Sequence, residues 1–270
     1  MYPNATESPD SATRSDQSGL DSRPENSSEK IESLAADLRA DSFKKRIQAV
    51  RNLAALGTAE ADQVLVELLQ AYGEIDPGSS HTEDQIAVCG SAYQYLCIAT
   101  SPIAQSFVEQ TSAGIVKVVS DRNVDYDELQ QLLIQQNYQA ADKLTTELMC
   151  EIAGDDAIKR KWVYFTEVSQ FPNADILTID TLWRTYSENK FGWSQQRNLW
   201  LRIGQDWEKL WPQINWKSSE GAWTRYPTEF VWDLASAPIG HLPLFNQLRG
   251  VRVMNALIEH PVWSKGKQNG

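Results

Sequence analysis

The stretch SDRNVDYDELQQLLIQQNYQAADKLTTELMCEIAG, residues 120–154, decides the fold. Leu129, Leu132 and Leu133 recur at helical spacing behind Asp125 and Asp127, either of which can cap a helix start. Asn137 marks a turn. Ala140, Ala141, Leu144 and Leu148 form the stripe of a second helix, and Gly154 ends it. Two helices joined by so short a connection make an αα-hairpin, and the alanines leave room for close approach.

Toward the N-terminus the same period continues. Ile31, Leu34, Ala35 and Leu38 make one stripe, and Ile47, Val50, Leu53 and Ala54 a second, with Gly57 placed as a C-cap. Val64, Leu65, Leu68, Leu69 and Tyr72 make a third, ended by Gly73. Residues 86–99 and 103–119 read as two or three more helices. Short paired helices of this kind suggest either a small HEAT- or armadillo-like stack or a plain bundle. Residues 1–29 are rich in Ser, Asp, Asn and Pro and almost free of large apolar side chains, so a disordered tail is expected there. The organisation expected is a tail over 1–29, an N-terminal helical bundle over 30–120 and a second helical domain over 121–265.

Toward the C-terminus the composition shifts. All ten tryptophans fall between Trp162 and Trp263. Helical spacing runs through Ile179, Leu182, Trp183 and Tyr186, then through Leu199, Trp200, Ile203, Trp207 and Leu210. Proline and glycine break the remainder into short helices and ordered loops. Only 162–168 and 226–234 show any strand-like alternation. Trp162, Trp183, Trp200 and Trp207 read as core.

A net charge of −11 over 270 residues argues against nucleic acid as a partner. From residue 240 onward Arg249, Arg252, Lys265 and Lys267 face Glu259 alone, so that end is locally basic. Cys89, Cys97 and Cys150 contain no CxxC pair and fit a reducing compartment. No apolar run approaches the ~20 residues of a membrane helix, and no signal-peptide core or transit peptide is legible near Met1, so a cytoplasmic location is expected. The three histidines, His81, His241 and His260, show no metal-ligand spacing, and no nucleophile-elbow, P-loop or dinucleotide motif occurs. No catalytic constellation is legible, and a glycosidase-type carboxylate pair stays open as a remote alternative.

Aromatic residues in Pro/Gly-bounded loops can hold a ring at a surface, and Phe191, Trp193, Trp223, Tyr226, Phe230 and Trp232 are the candidates to contact a flat ligand. In GHLPLFNQLRG, residues 240–250, the apolar side chains of Leu242, Pro243 and Phe245 can form a wall beside Asn246, Gln247 and Arg249. Arg249 and Arg252 share one face if a helix starts near Asn246, and guanidiniums grip carboxylates bidentately. His241 can serve as an axial ligand to a metallated ring or, more often for such a residue, hold a turn by bonding backbone.

Three blocks, DYDELQQLLIQQNYQAADKLTTELM (125–149), ILTIDTLWRTYSENKFGWSQQRNLW (176–200) and GHLPLFNQLRGVRVMNALIEHPVW (240–263), resemble the genomes-uncoupled family of tetrapyrrole-binding regulators of magnesium chelatase. The likeness covers nearly all of 120–263, and residues 31–119 look like the accessory bundle of its cyanobacterial members. The resemblance implies an all-α fold with a cupped, apolar palm that binds protoporphyrin IX and Mg-protoporphyrin IX without catalysis or a covalent cofactor. It implies stimulation of magnesium chelatase through the chelatase's large porphyrin-binding subunit, in chlorophyll biosynthesis. A monomeric state is expected, as is a cytoplasmic setting with room for peripheral thylakoid association. The Asn-Gln-x-Arg-x-x-Arg segment, here Asn246, Gln247, Arg249 and Arg252, is the part that the likeness assigns to porphyrin contact. Tyr138 stands where members commonly have Trp, Leu144 where they have Glu, and Phe191-Gly192-Trp193-Ser194 where they have Phe-Gly-Phe-Ser. The alternative is a helical adaptor that recognises a peptide through an exposed aromatic patch.

Overall fold

The computed structural model describes residues 25–78, 81–218, 220–244 and 251–267. It is all-α: among the described residues the only β pairings are two isolated bridges, Ile75 with Val116 and Lys217 with Trp223. The N-terminal part comprises α1 (Glu25–Asp37), α2 (Phe43–Leu56), α3 (Ala59–Tyr72), α4 (Glu83–Leu96) and α5 (Pro102–Gln110). Residues 25–29 thus belong to a helix and not to the expected tail; the rest of that tail lies outside the described residues. Local chemistry sets the ends. Ser42, Thr58, Thr82 and Ser101 each accept a backbone N–H at a helix start, and Gly57 and Gly73 close α2 and α3 with positive φ.

The hairpin follows as α6 (Asp127–Ile134) and α7 (Tyr138–Ala153). Asp125 accepts the Asp127 N–H at 2.9 Å, Asn137 caps α7 through the Ala140 N–H, and Gly154 ends it. Next come α8 (Asp155–Arg160), α9 (Phe165–Val168), α10 (Asn173–Thr185), α11 (Trp193–Arg202), α12 (Trp207–Gln213) and α13 (Val251–Ile258), then a 3-10 turn over Pro261–Lys267. Neither strand candidate is a strand. Residues 162–168 run into α9, and 226–234 form turns, with no neighbouring strand for either to pair with.

The apolar core is continuous from Leu34 to Val262. α4 packs directly on α10, which joins the two parts of the chain. A Cβ at Gly90 of α4 would lie 1.8 Å from the Thr185 carbonyl oxygen of α10, so the contact requires glycine. Around it, Gln94 donates to the carbonyls of Leu133 and Tyr186, both at 3.0 Å, and Arg51 holds Glu188 through two contacts of 2.6 and 2.7 Å. Buried Gln130 accepts the Val116 N–H, donates to the Val116 carbonyl and accepts the Tyr186 hydroxyl at 2.7 Å. Buried Asp175 accepts from Ser120, from the Asp121 N–H and from the Tyr126 hydroxyl. Each of these buried polar groups is satisfied, as a side chain removed from water must be.

The tryptophans form a ladder. Trp200, Trp207, Trp211 and Trp216 follow one another at ring separations of 5.1, 5.2 and 5.8 Å, and Trp223 joins at Trp211. Trp183 and Trp200 are buried, in accord with their reading as core. The Trp-to-Tyr departure at position 138 is accommodated by chemistry as well as size: the Tyr138 ring stacks on Trp183, and its hydroxyl donates to the Tyr186 carbonyl at 2.8 Å.

Candidate ligand-binding site

One long face of α7 is left open. Asp142, Thr146, Met149 and Cys150, one or two helical turns apart, line a cavity of about 550 Å³. Opposite them stand Ile158 and the 161–163 segment, with Trp162 and Val163 presented to the space. Tyr226, Leu244 and Val253 complete the walls, from three separate parts of the C-terminal region. The volume lies within the range of small-molecule sites.

The wall ring Trp162 is fixed from behind. The Arg160 guanidinium sits 5.0 Å from its ring centre and 4.5 Å from that of Tyr164, and is itself held by Glu167 at 2.7 and 2.8 Å. Lys143, Glu147, Glu151 and Lys161 also border the cavity, and Lys143 pairs with Glu147 at 3.6 Å on an exposed helix face. Val253 faces inward from α13, which packs on α9 and α11. Arg252, one position earlier, is exposed, with its guanidinium 5.7 Å from the Phe165 ring centre. Phe165, Tyr164, Ile158 and Val251 are exposed apolar side chains.

Asp142 is the unusual member. It is only 2% exposed, yet that remaining exposure is to the cavity it lines. One carboxylate oxygen accepts the N–H of Leu244, 102 residues away in sequence. The Tyr226 hydroxyl faces it across the cavity wall and favours its ionised form. Burial pushes its acidity from the ordinary carboxylate value up to about 7, partly offset by those two donors. The same contact, after burial, raises Tyr226 to about 12.

Several expected contacts lie elsewhere. Phe191 and Trp193 are fully buried: Phe191 packs edge-on against Tyr138 at 5.2 Å, and Trp193 opens α11. Both rings serve the core: Trp193 points inward from the first turn of α11, and Phe191 is held just before it, its N–H donating to Ser187 Oγ at 3.0 Å. Leu242, likewise, is fully buried, and its carbonyl accepts the Gly192 N–H at 2.9 Å. Pro243 is buried behind Gln196, whose amide donates to the Gly240 and Pro243 carbonyls. The apolar wall from this loop is therefore Leu244. His241 holds the fold: Nδ1 donates to the Ile214 carbonyl at 2.7 Å, and Nε2 accepts the Val231 N–H at 3.0 Å. Both nitrogens are engaged and burial lowers its pKa, so it is a neutral structural residue and offers no free nitrogen to a metal.

Of the loop aromatics, Tyr226 alone reaches the cavity. Phe230 is buried behind it at 5.5 Å and lies against His241, while Trp232 stacks on Phe230. Trp223, though 44% exposed, belongs to the tryptophan ladder, with the Lys217 ammonium 4.7 Å from its ring centre. Trp162, read as core, is instead a cavity wall. Phe245, Asn246, Gln247 and Arg249 lie outside the described residues, which end at Leu244 and resume at Val251. Among the described residues no group of His, Cys, Asp and Glu is arranged to hold a metal ion, and no helix is long and apolar enough to cross a membrane.

The α7 face was missed because its residues differ in type. Asp142, Thr146, Met149 and Cys150 do not form an apolar stripe, so helical periodicity alone does not mark them. The signal that marks them is a second helical face, beside that of Ala141, Thr145 and Leu148, that mixes soft apolar and polar groups around one aspartate.

A 41%-identical Ycf53-like protein of Synechocystis sp. aligns over 88% of this chain and 98% of its own length. The chloroplastic tetrapyrrole-binding protein of Arabidopsis thaliana is 34% identical over 53% of this chain and 57% of its own. The solved structure of GUN4 from Chlamydomonas reinhardtii superposes with a TM-score of 0.51 at 37% identity, covering 55% of this chain and 94% of that one. The GUN4-like family model matches residues 119–261, which hold the hairpin, every wall of the cavity and the loop that leads into α13. On that match, and on the near full-length likeness to the cyanobacterial protein, the chain belongs to the GUN4-like family.

Proposed function

We propose that the α7 cavity binds a tetrapyrrole, protoporphyrin IX or its magnesium derivative, and that the protein is a non-catalytic carrier that activates magnesium chelatase through its porphyrin-binding subunit. The observation that carries the reading is the cavity itself. Its walls are Met149, Ile158, Trp162, Val163, Leu244 and Val253, and the chain between its last two walls contains Asn246, Gln247, Arg249 and Arg252. A porphyrin has a wide apolar face and two carboxylates on one edge. The face needs apolar walls and the edge needs guanidinium or amide donors. Covering a few hundred Å2 of macrocycle at roughly 25 cal/mol per Å2 gives several kcal/mol before ordering costs, in the range of micromolar binding. Any magnesium would arrive in the ring, and Asn246 is the amide oxygen in this segment best suited to it. Family membership and the name of the Arabidopsis relative support the ligand class.

Titration with a water-soluble porphyrin dicarboxylate tests this. Tryptophan emission should be quenched as the porphyrin absorption band shifts, both saturating at one concentration. Arg249→Ala and Arg252→Ala should each weaken binding by about tenfold or more, the loss expected for a hydrogen bond to a charged group. Unchanged spectra at ligand concentrations on the order of tens of micromolar would reject the site. Activation is tested separately, by chelatase turnover with and without the protein; Arg249→Ala should lower the stimulation in step with binding.

A further inference from the structure

Asp142 does two things that no other cavity residue does. It ties together two walls that are remote in sequence, since it stands on α7 and accepts the Leu244 N–H, and it faces the Tyr226 hydroxyl on a third. It also places a buried carboxyl group among apolar walls, where Glu147 and Glu151 stay at the exposed border. The other charged groups around the cavity do not neutralise it. On its own helix Lys143 is exposed and engaged by Glu147, while Glu147 and Glu151 carry its own sign; Cys150 is buried with a raised pKa. Across the cavity Lys161 is exposed, and Arg252 on α13 lies over Phe165. The groups that favour its ionised form are the Leu244 N–H and the Tyr226 hydroxyl.

A flat apolar ligand that fills the cavity removes the remaining water from this carboxyl group. The charged form then loses solvation that an apolar face cannot replace, and the neutral form is favoured further. We infer that Asp142 is the positioning residue that fastens Leu244 to α7 at the cavity wall, and that entry of an apolar ligand face is coupled to uptake of one proton from solvent by its carboxyl group. This rests on the proposal that the cavity takes a flat ligand and adds how pH governs its occupancy.

The sign follows from linkage. Where the free protein holds Asp142 ionised and the complex holds it protonated, affinity rises as pH falls, by up to tenfold per pH unit. The free group titrates at about 7, so the dependence should be steep between about pH 7 and 8.5 and should level off on the acid side.

The experiment is a calorimetric and fluorescence titration of the full chain with a water-soluble free-base porphyrin dicarboxylate, from pH 6 to 8.5. At pH 8 it is repeated in two buffers of different ionisation enthalpy. Wild type should take up close to one proton at pH 8 and lose between threefold and tenfold in affinity from pH 7 to pH 8. Asp142→Asn keeps an oxygen for the Leu244 N–H and should bind with no proton uptake and a much flatter profile. Asp142→Ala removes that acceptor and should bind more weakly than Asp142→Asn at every pH. Tyr226→Phe removes one donor that favours the ionised form, so its profile should move to higher pH; this variant serves even if the position-142 variants fold poorly. Proton uptake and slope unchanged in both Asp142→Asn and Tyr226→Phe would overturn the inference while leaving the binding proposal intact. Absence of porphyrin binding by wild type at every pH would overturn both.

Discussion

Gly90→Ala should destabilise the protein by about 3 kcal/mol or more, at the upper end of overpacking penalties. Gly90 lies inside α4 with ordinary helical dihedrals, so the requirement concerns space and not backbone conformation. The added methyl would meet the Thr185 carbonyl oxygen at 1.8 Å and the Thr185 carbonyl carbon at 2.6 Å. Both are backbone atoms of α10 and cannot rotate away, so the two helices must separate by more than 1 Å. Separation also stretches the neighbouring Gln94 bonds to Leu133 and Tyr186 and the Arg51–Glu188 pair. For a chain of this size each kcal/mol corresponds to a few degrees, so Tm should fall by about 6–12 °C. Thermal denaturation followed by circular dichroism measures it. A Tm within two degrees of wild type would mean that α4 and α10 do not pack as closely as they do here, and that the N-terminal helices are attached more loosely to the family domain.

The helices were legible where the information is local. Asn137 and Gly154 bracket α7 because a side-chain cap and a positive-φ glycine act within one turn of their position. Gly57 and Gly73 mark the ends of α2 and α3 in the same way. Gly90 was not legible, since nothing near it in sequence reveals that α10, almost a hundred residues later, passes against it. The burial of the loop 240–244 is not legible in the sequence for a related reason. Proline and glycine mark it as irregular, and irregular chain is usually at the surface. This loop is buried because Gln196, Trp216 and Gly192 supply donors to its carbonyls and the His241 ring bonds both Ile214 and Val231. Those partners come from elsewhere in the chain, so composition could not foretell the burial. The loop aromatics show the same limit. Tyr226 and Phe230 are four residues apart and similar in character, yet one lines the cavity and the other seals the core behind it.

Asp142→Asn should make the protein more stable at pH 8, an unusual result for a substitution at a buried, hydrogen-bonded position. Unfolded, the carboxyl group titrates at its ordinary value of 3.8; folded, at about 7. Because the folded value is the higher one, the folded state holds a proton that the unfolded state has released between those two limits. Stability from this group is therefore fully present below about pH 4, declines as pH rises to about 7, and stays low above it. A displacement of about three pH units corresponds to roughly 4 kcal/mol at 1.36 kcal/mol per unit, an upper figure because a real cavity admits some water and relaxes around the charge. Asparagine keeps the oxygen that accepts the Leu244 N–H and has no proton to lose, so it resembles the protonated acid at every pH. The variant should exceed wild type in Tm by about 5–10 °C at pH 8, and the difference should shrink toward zero near pH 4. His241 and His260, whose pKa values burial lowers, also make stability depend on pH, but they are common to both proteins and cancel in the comparison. Paired denaturation curves from pH 4 to pH 8.5 give the answer. A variant less stable than wild type at pH 8, or a difference that does not change with pH, would mean that the Asp142 carboxylate is solvated or paired with a cation, and that the cavity floor is not the dry surface on which ligand-linked protonation depends.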